Sequence, residues 1–270
     1  MKNRTKNCFY LKALPVTLLV LVFGISGCEK VIDVDLNAAD PVTVIEGNIS
    51  DQPGPYTVSL TKSVNFDDPN IFPGVSGATV IVNDNAGNTD TLTESKPGIY
   101  QSQTLQGVPG RDYFLRIKEG VKQYTAVSGM PLPVKLDTIL IEQAPFGRPD
   151  RKIVKTRFQD PADIENYYRL IITVRDTVHS TIYLTRDDFS DGEVLETTFY
   201  DNNFNLSSGD VVKVDLLSIT RDVSEYLRYL NESGGGGQSA SPANPPTNIA
   251  NATLGYFSAH SVTSKSIVVP

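Results

Sequence analysis

The sequence predicts a mainly β protein built from two strand-rich units and one short helix. Apolar and polar residues alternate with period two over most of the chain, which is the pattern of strands with one buried face. Clusters of Gly, Asn, Asp and Pro separate these short runs and are typical of tight turns. Because the chain has 270 residues, of which 40% are hydrophobic and 20% charged, it can form one large domain or two small ones, each with its own core.

The first 27 residues are predicted to be a signal peptide. They contain four basic residues and no acid, followed by an apolar run over 13–23. This run is about half the length of roughly 20 residues that a membrane span needs. Ile25, Ser26, Gly27 and Cys28 then resemble the lipobox of bacterial lipoproteins, in which the thiol is acylated with fatty acids such as palmitate. Cys28 is therefore the predicted lipidation site, and several acyl chains would hold the protein at a membrane. The alternative is an ordinary signal peptide that ends near a cysteine.

The charge and the cysteine count exclude several classes of protein. Without residues 1–27 the chain has 20 basic and 31 acidic residues, a net charge of −11. Such a chain repels phosphate backbones, so no nucleic-acid partner is expected. Cys8 and Cys28 cannot form a disulfide framework. With two histidines and no other thiol, the sequence predicts no metal centre and no cofactor.

The first strand-rich unit follows a short acidic tether, predicted at 28–40. The tether resembles the export signals of surface lipoproteins, and a solvated linker is the alternative. A small β-sandwich is predicted over 41–133, where prolines at 131 and 133 mark its end. Its strand candidates are residues 42–49, 56–60, 78–82, 89–93, 112–117 and 121–127.

The second unit, predicted over 134–270, carries the helix and a long loop. Asp222 and Glu225 form a capping box, and apolar residues recur at helical spacing, which predicts a helix near 222–233. The Gly/Pro-rich stretch 234–248 is predicted to be a long loop, either functional or a tolerated insertion. The strand candidates are residues 136–141, 152–158, 167–174, 181–184, 196–200 and 211–219, with a last pair around 255–257 and 266–269.

A search for catalytic motifs finds no nucleophile elbow, no phosphate-binding loop and no zinc-protease motif. His179 and His260 favour surface or structural roles over a triad. No catalytic residue is therefore predicted, and the protein is not expected to be an enzyme. Asp187, Asp188 and Asp191 offer hard oxygen ligands for Ca²⁺, but their spacing is not that of a calcium-binding loop.

Four phenylalanines lie in polar, turn-like contexts instead of strands. If exposed together, they would form a contact patch, and separate burial as loop anchors is the alternative. The predicted binding surface consists of these phenylalanines and the three aspartates of the acidic loop: Phe66, Phe72, Phe146, Phe204, Asp187, Asp188 and Asp191.

Short motifs along the chain resemble the DUF4249 lipoproteins of the Bacteroidetes. They begin with Cys28-Glu29-Lys30-Val31-Ile32, and the likeness covers nearly all of the chain after Gly27. It implies an N-terminal immunoglobulin-like, or carboxypeptidase-regulatory-like, β-sandwich followed by a second sandwich unit. It also implies an outer-membrane partner, because members are found with TonB-dependent receptors; the family has no assigned activity or catalytic residues to transfer. The other motifs are residues 44–49, 54–58, 75–80, 98–100, 108–110, 248–249 and 254–257.

These observations favour a lipid-anchored accessory protein that binds an outer-membrane receptor in uptake or envelope assembly. The expected location is the outer membrane, with the cell surface favoured over the periplasmic face. One alternative is a secreted, lipid-anchored hydrolase whose site is assembled in space from Asp187, Asp188 or His179. Another is a structural adhesin.

Overall fold

Strands form most of the computed structural model, which describes residues 40–65, 68–145, 151–188, 190–199, 205–234 and 244–270. The predicted mainly β fold with one helix is confirmed, and residues Asp40–Pro270 form one compact unit. The predicted signal peptide, Cys28 and nearly all of the tether lie outside the described residues. The elements are β1 Thr43–Ser50, β2 Thr57–Lys62, β3 Thr79–Asp84, β4 Thr89–Lys96, β5 Ile99–Gln101, β6 Asp112–Glu119, β7 Lys122–Gly129, β8 Thr138–Gln143, β9 Lys152–Gln159, β10 Tyr167–Val174, β11 Thr177–Val178, β12 Tyr183–Arg186, β13 Val194–Phe199, β14 Val211–Ile219, α1 Arg221–Gly234, β15 Ile249–Ala250 and β16 Leu254–Val268.

The first hydrophobic core lies between strands β1, β2, β5 and β16 and strands β3, β6, β7 and β15, with β4 pairing to both β3 and β5. The register of β4 shifts between Glu94 and Lys96, as expected for a strand that passes from one layer to the other. Inward residues alternate along each strand, which is why the period-two pattern was visible in the sequence. The largest buried side chains of this core are Ile45, Ile49, Leu60, Tyr100, Tyr113, Leu115, Met130 and Phe257.

A second core is formed by the strands β10, β14 and β16 together with the three-stranded sheet β13-β9-β8. Phe158 of β9 and Tyr168 of β10 meet in it edge to face, with ring centroids 4.8 Å apart. Thus the compact unit contains two cores between packed sheets, in agreement with the predicted sandwich-like architecture. The most buried members of this core are Val154, Phe158, Tyr168, Leu170, Ile172, Phe199, Val212, Val214, Leu216 and Val269.

One long strand, β16, belongs to both cores. Its first half pairs in parallel with β1, up to Ser50 opposite His260, and its second half pairs antiparallel with β14 from Ser261 onwards. The expectation of two short strands around 255–257 and 266–269 was therefore wrong. Serines interrupt the apolar alternation between these segments, but pairing continues because backbone hydrogen bonds do not depend on side-chain polarity.

The predicted domain boundary at residue 133 stays a prediction. The first core contains residues from both sides of this position. Ile249 of β15 and Phe257 and Ala259 of β16 pack in the first core, with residues that precede position 133. The last strands of the chain therefore complete the first sandwich.

Glycine is required where β16 runs beside β1. Gly255 has a φ of +114°, and a Cβ atom there would lie 2.0 Å from the carbonyl oxygen of Ile45. A side chain at this position would be strained in conformation and would collide with the backbone of the neighbouring strand.

Helix α1 packs on the sheet face opposite the second core. Val223, Tyr226 and Leu227 are buried there against Tyr167 and Tyr256. The expected capping box is wrong in detail, because the helix begins at Arg221 and Asp222 lies inside its first turn. Thr220 immediately precedes the helix, and its carbonyl accepts a hydrogen bond from the Ser224 N–H at 3.0 Å. Among the described residues, no helix is long and apolar enough to span a membrane.

Candidate functional site

Three aspartates from distant parts of the chain meet beside the second core. Asp160 follows β9, and Asp187 and Asp191 lie in the loop between β12 and β13. One carboxylate oxygen of each lies within 4.8 Å of the others, with Asp160 and Asp187 buried and Asp191 exposed. Within the described part of the chain, this is the one cluster of acidic, His or Cys side chains with metal-ligand spacing. Carboxylates in such an arrangement are the donors that Ca²⁺ and Mg²⁺ prefer.

Hydrogen bonds tie each of these aspartates to a neighbouring segment. Asp160 accepts from the Tyr168 hydroxyl at 2.5 Å and from the Gly192 N–H at 3.2 Å. Asp187 accepts from the Asn166 N–H at 2.8 Å. Asp191 accepts from the Asp163 N–H at 2.9 Å. The cluster therefore joins the loop after β9 to the loop after β12.

Within this acidic cluster, burial and the neighbouring charges disfavour ionisation of Asp187. Burial first, and then the nearby carboxylates of Asp160 and Asp191, raise the pKa of Asp187, although the Asn166 N–H lowers it. Burial and the Asp160 carboxylate likewise raise the pKa of Tyr168. The Tyr168 hydroxyl thus keeps its proton and donates a hydrogen bond to Asp160.

A groove with a volume of about 430 Å³ lies between β12 and α1. Its apolar floor contains Tyr167, Ile182 and Leu184, all of which pack against the helix core. Ser224, Arg228 and Asn231 line the helix wall. Apolar floors with a few polar groups on the walls are typical of binding sites.

Ion pairs surround this groove. Arg186 lies 2.8 Å from Asp188, and Arg228 lies 2.9 Å from Glu232. The remaining arginine of the rim, Arg221, lies 3.1 Å from Glu225 and 3.9 Å from Glu165. The Tyr167 hydroxyl donates a hydrogen bond to Glu165, and burial together with this carboxylate raises the pKa of Tyr167 to about 12. These exposed pairs contribute little to stability, so their charged groups can exchange partners when a ligand binds.

The strand beside the groove lies at the edge of its sheet. Leu184 and Arg186 of β12 pair with Arg169 and Tyr167 of β10. No other strand of the described residues pairs with β12. An edge strand directs alternate backbone groups outward, and these can pair with an added strand.

The structure brings together only part of the predicted binding surface. Asp187 and Asp191 join the acidic cluster, whereas Asp188 faces Arg186 at the groove. Phe72 is 54% exposed, in the segment between β2 and β3. The other residues named for this surface, Phe66, Phe146 and Phe204, lie outside the described residues.

The sequence did not point to Asp160 or to the helix wall of the groove. Asp160 stands 27 positions before Asp187, and only pairing within the folded sheet brings the two together. The one sequence signal was the acid directly after an apolar strand, in Asp160-Pro161.

The two histidines occupy different surroundings. His260 is 8% exposed, and its Nδ1 lies 3.0 Å from the Ser258 hydroxyl. Burial, aided by the nearby Arg169 charge, lowers the pKa of His260 to about 4. The ring is therefore neutral at pH 7 and lies beneath the surface, where a substrate has no direct access. His179 follows β11 and is not part of the acidic cluster.

Comparison with known proteins identifies one family. The model described as "Domain of unknown function (DUF4249)" matches residues 29–266. No curated protein matches the sequence.

Two solved structures show low similarity to this chain. A chain of a cytokine receptor complex is 11% identical, with 85% of this chain and 96% of that chain covered and a TM-score of 0.25. The adhesin InvE of Yersinia pseudotuberculosis is 17% identical, with 65% of this chain and 55% of that chain covered and a TM-score of 0.20. At these TM-scores neither likeness supports a statement about fold or function.

Proposed function

The chain belongs to the DUF4249 family, and on that premise we propose that it is a non-catalytic, lipid-anchored accessory protein of the outer membrane. In this proposal Cys28 carries the acyl chains, and the partner is a TonB-dependent receptor in uptake or envelope assembly. The lipobox-like residues before Cys28 support the anchor. The association of receptors with proteins that this sequence resembles supports the partner.

The groove between β12 and α1 is the observation that carries the binding role. Its floor of Tyr167, Ile182 and Leu184 is apolar, and its volume of about 430 Å³ suits an extended segment of a few residues. The edge of β12 offers backbone hydrogen bonds along one side of that segment. The rim carries three arginines and four carboxylates, all of them in ion pairs, so its charges nearly balance and the apolar floor dominates recognition.

We propose that the occupant is an extended, apolar segment of the receptor. A peptide that adds a strand gains backbone hydrogen bonds, while side chains on alternate positions meet the apolar floor. The buried, neutral His260 supports the non-catalytic role, because it cannot contact a substrate directly.

Site-specific photocrosslinking tests this function in intact envelopes. A photoreactive amino acid at Asn231, on the groove wall, is expected to form an adduct with a TonB-dependent receptor. The same group at Thr91, an exposed position of β4, is the matched control and should form none. Recovery of no receptor from position 231, or equal recovery from both positions, would contradict the proposal.

A charge reversal tests the role of the rim. Arg228→Glu in the crosslinking protein should lower receptor recovery by about tenfold, because the groove wall would then hold an unpaired carboxylate beside Glu232 in place of an ion pair. Arg116→Glu, on the exposed face of β6, should leave recovery unchanged. An Arg228→Glu protein that still forms the adduct at full yield would show that the rim charges do not recognise the partner.

Labelling with a palmitate analogue tests the anchor separately. Wild-type protein is expected to take up the label, and Cys28→Ala protein is not. Label on the Cys28→Ala protein would overturn this part of the proposal and leave the receptor result standing.

A further inference from the structure

The hairpin between β6 and β7 ends in an exposed apolar tip. Glu119 pairs with Lys122, so the turn consists of Gly120 and Val121. The φ of Gly120 is +57°, a conformation that glycine adopts without strain. Val121 is 98% exposed, the largest exposure among the described apolar residues. A fully exposed valine at the end of a rigid hairpin contributes nothing to the cores.

The charge of this tip is positive once its internal ion pair is counted. The Glu119 carboxylate is 2.7 Å from the Lys62 ammonium and also accepts from the Thr43 hydroxyl at 2.8 Å. Burial would raise the pKa of Glu119, but these partners outweigh it and hold the pKa below its usual range. Lys118 and Lys122 are exposed and form no ion pair within the described residues. They therefore present two cations beside Val121 that lie in no ion pair, and Asp40 is the one carboxylate among the residues that line the adjoining depression.

The tip lies at the end of the molecule where the described chain begins. Residues Asp40 to Thr43 and Val121 to Tyr124 line one depression of about 610 Å³. Cys28 stands 12 residues before Asp40. Twelve residues extend at most about 40 Å. An acyl group at Cys28 would therefore hold Asp40, and the tip beside it, within reach of the bilayer surface.

We propose that the β6–β7 tip is a second membrane contact, in which Val121 enters the headgroup region and Lys118 and Lys122 bind anionic headgroups. This inference rests on the proposed lipid anchor, because the anchor brings the tip to the surface. A small apolar group flanked by lysines fits the boundary between headgroups and acyl chains. The contact would hold the folded unit in one orientation on the membrane.

A fluorophore at the tip tests this contact in the full chain. Val121→Cys is labelled with an environment-sensitive dye and reconstituted in vesicles of phosphatidylethanolamine and phosphatidylglycerol. Val178→Cys, at a 63% exposed valine next to the β10–β11 turn, is the matched control. Protein that retains both valines measures background labelling at Cys8 and Cys28.

The expected result is a blue-shifted emission at position 121 and about twofold quenching by nitroxide-labelled lipid, since inserted groups reach roughly 5–10 Å below the surface. Position 178 should show neither effect. Emission at 121 equal to that at 178 would overturn the proposal. Lys118→Glu with Lys122→Glu should abolish the shift, and a persistent shift would overturn the role given to the lysines.

Palmitate labelling of the same samples separates this inference from the anchor. Acylated protein with a water-exposed dye at 121 overturns the tip contact and leaves the anchor intact. A blue shift in protein without acyl label supports the tip contact and overturns the anchor.

Discussion

At the scale of single residues, a buried carboxylate that accepts several hydrogen bonds can hold a loop in place. One oxygen of Asp90 accepts from three consecutive backbone N–H groups, those of Gln103, Thr104 and Leu105, at 2.7 to 2.9 Å. Burial would raise the pKa of Asp90, but these donors outweigh it and hold the pKa below its usual range. Asp90 thus fixes the segment after β5, because the three residues that donate these hydrogen bonds lie outside the described strands.

Asp90→Asn should lower the free energy of unfolding by roughly 1.5–3 kcal/mol at pH 7, because a neutral acceptor replaces a charged one. The native pKa is lowered, so this contribution is present above the unfolded pKa of about 3.9 and is lost as the pH falls through the native pKa. Urea unfolding at pH 7 and pH 3 checks both statements. Asp112→Asn, at an exposed carboxylate, serves as the control. A loss of stability at Asp90 that does not shrink in acid would contradict the electrostatic origin.

Asp187 should respond in the opposite sense. Its native pKa is raised, chiefly by burial, so the folded state is favoured below the unfolded pKa and loses that advantage as the pH rises through the native pKa. Asp187→Asn keeps an acceptor for the Asn166 N–H and removes the charge. The expected result is a rise in Tm at pH 7 of roughly 2–4 °C, the effect of about 1 kcal/mol in a protein of this size, and no rise at pH 3.

Asp188→Asn is the matched control, because Asp188 is exposed and its one ion pair among the described residues is with Arg186. The Tm of this variant should change little. A lower Tm for Asp187→Asn would contradict the inference that burial and the neighbouring carboxylates disfavour a charge at Asp187. If the wild-type Tm then also rose on addition of CaCl₂, the aspartates would hold a cation.

At the scale of elements, helix α1 is stabilised by burial of a narrow apolar stripe. Leu227 is 2% exposed beneath the helix, whereas Leu230 is 41% exposed. Leu227→Ala should therefore cost about 2–5 kcal/mol of unfolding free energy, and Leu230→Ala much less. Urea unfolding of both variants provides the measurement. Equal effects at the two positions would show that the stripe does not hold the helix to the sheet.

Among the strands, the sequence predicted best the long ones. The strands β10 and β14 have the expected bounds, Tyr167–Val174 and Val211–Ile219, because apolar residues of the second core recur at every second position, as in Tyr168, Leu170, Ile172 and Val174. The short strands β5, β11 and β15 were not predicted, since two or three residues cannot show a period. Their pairing is decided by neighbouring strands that lie far away in the sequence.

At the scale of the whole molecule, β16 joins the two cores through one continuous backbone. Unfolding of either core removes the pairing partner of half of this strand. We therefore expect one cooperative thermal transition, with the calorimetric enthalpy equal to the van't Hoff enthalpy. Two separate transitions would show that the sandwiches unfold independently.

Gly255→Ala tests this coupling directly. The added methyl group would meet the Ile45 carbonyl, so the variant should lower the Tm of the single transition by several degrees or prevent folding. Gly87→Ala is the matched control, because Gly87 also has a positive φ, +90°, but no atom within 4 Å of the added Cβ. Equal losses in the two variants would show that conformational strain alone, and not the approach of β1, makes the glycine necessary.

The sequence by itself determined the fold class, most strand positions, the helix and the predicted lipidation site. Each of these depends on local information: a period of two, a period of 3.6, or a short motif around Cys28. The family likeness, confirmed over residues 29–266, was carried by motifs of the same local kind.

Only the tertiary structure decided which distant residues meet. It placed Asp160 beside Asp187, formed the groove between β12 and α1, placed the Val121 tip beside Asp40, and made β16 a member of both cores. The physical reason is that side-chain periodicity reports which face of a strand is buried, whereas the order of strands in a sheet depends on non-local backbone pairing, which periodicity does not specify.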